Sequence, residues 1–169
     1  YPACKMRLVV LDCMNWDMTQ NDWFAGVLAE TLDNTKDCYG YHVIGSQHYL
    51  SHDGLNNLTL FDTPFNSLDD YKLEAQSTIV GSVTVVDTFI NNGGMFVCWL
   101  GGHIHSDFCG LLTNHNNQIF INVGSASRIT PAQDCARIEA TQTQDLFNVI
   151  GFDFFSKTIK VMRVGATYD

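Results

Sequence analysis

Residues 96–107 read Phe96-Val97-Cys98-Trp99-Leu100-Gly101-Gly102-His103-Ile104-His105-Ser106-Asp107. The first five form an unbroken apolar run, the pattern of a strand buried on both faces. Two glycines then let the backbone turn sharply and leave room for a ligand near it. At a strand end, side chains two apart point to the same side, so His103 and His105 converge on one place. Neutral imidazole is the commonest metal ligand, and such a pair at the mouth of a sheet suits a metal clamp. A pair of histidines hydrogen-bonded within a loop explains the same pattern.

Working outward, residues 41–47 (YHVIGSQ) read as a second strand, with His48 just past its end. Residues 5–12 (KMRLVVLD) read as a third, another short apolar run that stops at a polar loop. Between them Phe24, Leu28 and Leu32 recur at helical spacing beside Trp23, Val27 and Thr31, with Asp17 or Thr19 available as the cap. Residues 51–70 read as a polar loop. Residues 73–91 are ambiguous: Ile79, Val83, Val86 and Ile90 have helical spacing while the β-branched content favours a strand, and a helix is the reading adopted. Residues 118–123 alternate as a strand, and 145–164 read as two strands around Phe155-Ser156-Lys157. Strands alternating with helices and then a run of strands predict a mixed α/β sheet with helices on one side. No internal boundary or repeat interrupts residues 1–169, which read as a single domain.

Open α/β sheets place ligands outside the carboxyl ends of their strands. His48, His103 and His105 are all predicted there, and packing explains three such histidines less easily than two. His42 reads as a residue within its strand, His115 as part of a solvated turn between Asn114 and Asn116, and His52 as a surface-loop residue that could line the site.

The 169 residues suffice for a core without covalent staples, since domains near this size bury about 68–70% of their unfolded surface. With 46% hydrophobic and 16% charged residues, the chain is neither disordered nor coiled coil. Eighteen acidic against nine basic residues leave a net charge of -9, which argues against binding nucleic acid through its phosphates. An anionic substrate would need metal ions or a few placed donors to overcome that field. Nothing reaches the ~18 consecutive apolar residues of a membrane span, so no membrane partner is expected. The start at Tyr1 lacks a signal-peptide pattern and an initiator Met, and reads as cut, processed or partly covered. A soluble chain, cytoplasmic or virion-associated rather than secreted, is expected. The six cysteines show no CxxC spacing and read as buried thiols, Cys98 above all, with a disulfide framework the alternative that an even number allows. The sequon at Asn57 reads as chance.

At this point a family resemblance becomes specific. Residues 96–107 resemble the closing G-H-x-H signature of the calcineurin-like metallophosphoesterases, and residues 43–50 resemble their strand ending in one metal-binding His. That family usually has Pro two residues after this His; Leu50 stands here. Residues 121–125 resemble the strand after the box, and 145–164 the closing hairpin. The resemblance implies an α/β fold, a layered β-sheet sandwich flanked by helices. It implies two divalent ions (Mn, Fe, Zn or Ni), one held by His48 and His103 and the other by His105, and hydrolysis of a phosphomono- or phosphodiester.

The family's earlier signatures, D-x-H, G-D and G-N-H-[DE], have no counterpart. Asp12-Cys13-Met14 carries Met where a D-x-H has His, and residues 5–12 match the strand that follows G-N-H-[DE]. The resemblance therefore covers the C-terminal part of a family domain and implies an absent N-terminal half, supplied by a longer chain or a partner chain; a homo-oligomer is also compatible. A second reading is a non-catalytic structural or interaction module, such as a phage, virion or surface-assembly component, that keeps the scaffold. A third is a mononuclear zinc hydrolase, for which Asp107 and Asp53 are the nearest candidate bases.

Overall fold

The computed structural model describes residues 1–12, 18–48, 58–61, 81–102, 108–123 and 146–165. The described elements are strand β1 (Met6–Val10), helix α1 (Met18–Glu30), β2 (His42–Ser46), β3 (Leu58–Phe61), helix α2 (Ser82–Asn91), β4 (Met95–Gly101), β5 (Phe108–Leu112), β6 (Gln118–Asn122), β7 (Leu146–Asp153) and β8 (Thr158–Gly165). A six-stranded sheet runs β1-β2-β4-β6-β5-β3, and β7 pairs with β8 in a separate two-stranded sheet. Strands β1, β2, β4 and β6 are mutually parallel, while β5 is antiparallel to both β6 and β3. The chain is thus an α/β protein with a mixed sheet.

Alternation along the strands divides the core into two. On one face Val9, Val43, Trp99 and Phe120 meet Phe24, Val27 and Leu28 of α1 and Val83, Val86 and Phe89 of α2. On the other, Ile44, Cys98 and Ile121 meet Ile150, Phe152 and Ile159 of the β7–β8 hairpin. Because both faces are covered, β4 needs a continuous apolar run rather than alternation. The fully buried Cys98 lies in this second layer. Burial, reinforced by nearby Cys109, pushes its thiol up to about 12, so it stays a protonated packing group.

Gly45 marks where the first layer is tightest. A Cβ there would come within 2.6 Å of the Trp99 ring, and that ring cannot swing aside because its Nε1 donates to Gln118 Oε1 at 2.6 Å. Gln118 Nε2 in turn donates to Val83 O at 3.0 Å and to Asp87 Oδ1 at 2.9 Å. Asp87 also receives Asn116 Nδ2 at 2.9 Å and faces His115 Nδ1 at 2.7 Å. The expectation that His115 is a solvated turn residue is therefore corrected. It sits in the β5–β6 turn, half-buried against the Asp87 carboxylate of α2. Elsewhere, Arg7 on β1 donates to Val27 O at 3.0 Å and pairs with Glu30 at 2.8 Å. A cation thereby satisfies the carbonyl end of α1.

Other elements refine the sequence reading. The ambiguous segment is helical over Ser82–Asn91; residues 73–80 lie outside the described residues. Residues expected to be a polar loop include strand β3, and β5 was not anticipated. Trp23, read as part of the apolar stripe of α1, is about half exposed. No helix among the described residues is long and apolar enough to cross a membrane.

Two predictions follow from these contacts. Gln118→Leu strands the Trp99 N–H and removes two donors from α2, so it should cost about 1–3 kcal/mol; thermal unfolding would read this as a Tm several degrees lower. The β7–β8 turn depends on Asp153, whose Oδ1 accepts Phe155 N and Ser156 N and whose Oδ2 accepts Ser156 Oγ. Those bonds, led by the Ser156 hydroxyl, hold its carboxyl below the ordinary carboxylate range. A depressed folded-state value stabilises above the unfolded value and is lost as pH falls through the folded one. Asp153→Asn should therefore lose stability at neutral pH and flatten the acid limb of the melting profile below about pH 4.

Candidate active site at the carboxyl ends of the parallel strands

Register decides which residues meet at the top of the sheet. Val10 pairs with Ser46, Ser46 with Leu100 and Leu100 with Ile121 across the four parallel strands. Backbone hydrogen bonds carry the ladder past the strand ends: Leu11 N to Ser46 O (2.8 Å), Gln47 N to Leu100 O (3.0 Å), Gly102 N to His48 O (3.2 Å) and Val123 N to Gly101 O (3.1 Å). Two residues beyond the paired row, the same register sets Asp12, His48, Gly102 and Val123 side by side. With side-chain period two, these four belong to the face that also carries Ser46 and Leu100, the face covered by the β7–β8 hairpin.

All four line one crevice of about 550 Å³, which Ile150 of the hairpin also borders. Val10, Leu11, Leu100 and Val123 supply apolar wall, and Asp12, Ser46, Gln47 and His48 supply polar groups. Asp12 and His48 are both exposed. The imidazole of His48 stands against the backbone of the next strand, since a Cβ on Gly102 would lie 3.8 Å from its Nδ1.

The end of β1 is held by the first turn of α1. Asp12 N donates to Gln20 Oε1 at 2.7 Å, and Gln20 Nε2 donates to Asp12 O at 2.9 Å. One side-chain amide thus satisfies both main-chain groups of residue 12, as a neighbouring strand would. It prevents the edge strand from fraying where it enters the crevice. Gln47 lines the crevice as well; it is 3% exposed, and both its amide atoms are buried without a hydrogen-bond partner.

The structure thus places His48 at the crevice. His103 and His105, and with them His52, Asp53 and Asp107, lie outside the described residues; Gly102, the residue before His103, is the last described position of that strand end. His42 begins β2, at the end of the strand away from the crevice, with its ring stacked on Phe154 at 4.5 Å. Its expected place within the sheet holds. Among the described residues, no three ligating side chains come together; Asp12 and His48 are the two at the crevice.

The sequence reading took Asp12 only as the end of a strand, not as a degraded D-x-H, and gave Gln20 no role. The missed signal was positional: Asp12 ends an apolar run just as His48 does, and only strand order makes the two ends adjacent. Comparison with family models, curated proteins and solved structures finds no match for this chain.

Proposed function

We propose that this chain forms the histidine-bearing part of a metallophosphoesterase of calcineurin-like type, hydrolysing a phosphomono- or phosphodiester and completed by residues outside this segment. One observation carries the reading. His48 stands at the carboxyl end of a central parallel strand, against the Gly102 backbone that leads directly into His103-Ile104-His105. Parallel sheets concentrate ligand sites at this edge. The donor chemistry fits a divalent cation: imidazoles for borderline metals, with a carboxylate at the same crevice.

In this reading His48 and His103 would hold one ion and His105 a second. Bound there, divalent ions polarise a phosphoryl oxygen and lower the pKa of a coordinated water. The chain itself contributes position. The β2–β4 ladder fixes His48, and Val10, Leu100 and Val123 line the crevice beside it. Cations would also locally reverse the chain's -9 charge and admit an anion. A second reading, a non-catalytic interaction module, draws on the exposed apolar residues Leu8 and Val10 on the edge strand β1.

His48→Ala and His103→Ala should each weaken Mn2+ binding, measured by calorimetry, more than about 100-fold, beyond what a lost outer-shell partner costs. Each should also abolish hydrolysis of bis-p-nitrophenyl phosphate and p-nitrophenyl phosphate. Turnover and Mn2+ affinity unchanged in both variants would overturn the phosphoesterase reading. A chain that neither binds metal nor turns over substrate, yet assembles, would favour the interaction module.

A further inference from the structure

We propose that the carboxylate of Asp12 is a direct ligand of the metal held by His48, the anionic donor that the histidine signatures lack. This rests on the metal-site reading above and adds to it a residue that belongs to none of the family's signatures.

Three observations lead to it. First, the β1–β2 register, continued two residues past Val10–Ser46, sets Asp12 beside His48 on the same face. Neighbouring strands run about 4.7–4.9 Å apart. An imidazole nitrogen and a carboxylate oxygen projecting from that spacing can converge on one ion at the ~2.0–2.2 Å that such ligands require. Second, both residues are exposed and line the same crevice. Third, residue 12 is fixed before any ligand arrives, because Gln20 grips its main-chain N–H and C=O at 2.7 and 2.9 Å. Preorganisation of this kind is what a ligand needs to bind without a large ordering cost.

The chemistry calls for such a group. Neutral imidazoles alone leave the full charge of a divalent ion uncompensated at the site, and harder ions such as Mn2+ favour oxygen donors. A carboxylate supplies both charge and oxygen. Its place on β1 also explains why a glutamine rather than an aliphatic residue occupies the first turn of α1: the strand end must be held although β1 is an edge strand with no further strand beside it.

The test uses the full chain, with Mn2+ affinity read by calorimetry and ligand change read from the visible spectrum of the Co2+-loaded protein. Asp12→Asn and Asp12→Ala are the variants, with His48→Ala in parallel. Because Gln20 binds the main chain of residue 12, neither Asp12 substitution removes the clamp, and unchanged circular-dichroism melts should confirm the fold. Asp12→Asn is nearly isosteric and keeps the test open should Asp12→Ala fold poorly. The expected result is a loss of Mn2+ affinity above 100-fold in both Asp12 variants, with an altered Co2+ spectrum. A loss under tenfold with an unaltered spectrum would overturn the proposal, leaving Asp12 at most a partner that orients His48. If His48→Ala binds Mn2+ like the parent chain, the underlying metal-site reading fails. If His48→Ala loses the metal and the Asp12 variants keep it, only the Asp12 assignment fails.

Discussion

The buried amide of Gln118 ties together the parts on which the rest of the structure depends. Its oxygen takes the Trp99 indole N–H, and its nitrogen reaches the carbonyl and carboxylate of two residues of α2. The amide oxygen and both amide hydrogens are thereby engaged on this side of the core, where an unpaired group is costly. Strands β4 and β6 and helix α2 are consequently locked in one arrangement. The indole is held in the position that excludes a side chain at residue 45 of β2, so the lock extends to the neighbouring strand. From that point the register runs upward to the row that lines the crevice.

A second device works at the opposite edge. Strand β1 has one neighbour, and its outward residues Leu8 and Val10 are exposed. Arg7 anchors its lower part to the carbonyl end of α1, and Gln20 from the other end of the same helix grips Asp12. One helix therefore clamps an edge strand at both ends. The site gains from this directly, because an unclamped edge would leave the position of Asp12 undefined beside His48.

Much of the architecture was legible because periodicity and punctuation were strong. The runs ending at Asp12, Gln47 and Leu100 read as strands since covered parallel strands are apolar throughout. The hairpin around Phe155-Ser156-Lys157 was legible from its turn, and Phe24, Leu28 and Leu32 marked α1. Strand β5 drew no reading of its own: Phe108-Cys109-Gly110-Leu111-Leu112 follows the histidine box directly, with no turn signal to set it apart. His115 lies in the expected turn, but its burial was missed for a different reason. Its asparagine neighbours signal a turn, but nothing local shows that an aspartate 28 residues earlier faces it across the packing of α2 on the sheet.

The sequence by itself determined the types of most elements, the burial of β4 on both faces and the place of His48 just past the end of β2, since these follow from local pattern and chain direction. Tertiary structure alone decided which strand ends are neighbours. Strand order and register place β1 beside β2 and β2 beside β4, and so bring Asp12, His48 and Gly102 into one row from three separate stretches of chain. That adjacency is a property of hydrogen-bonded pairing between distant segments, and no local pattern encodes it.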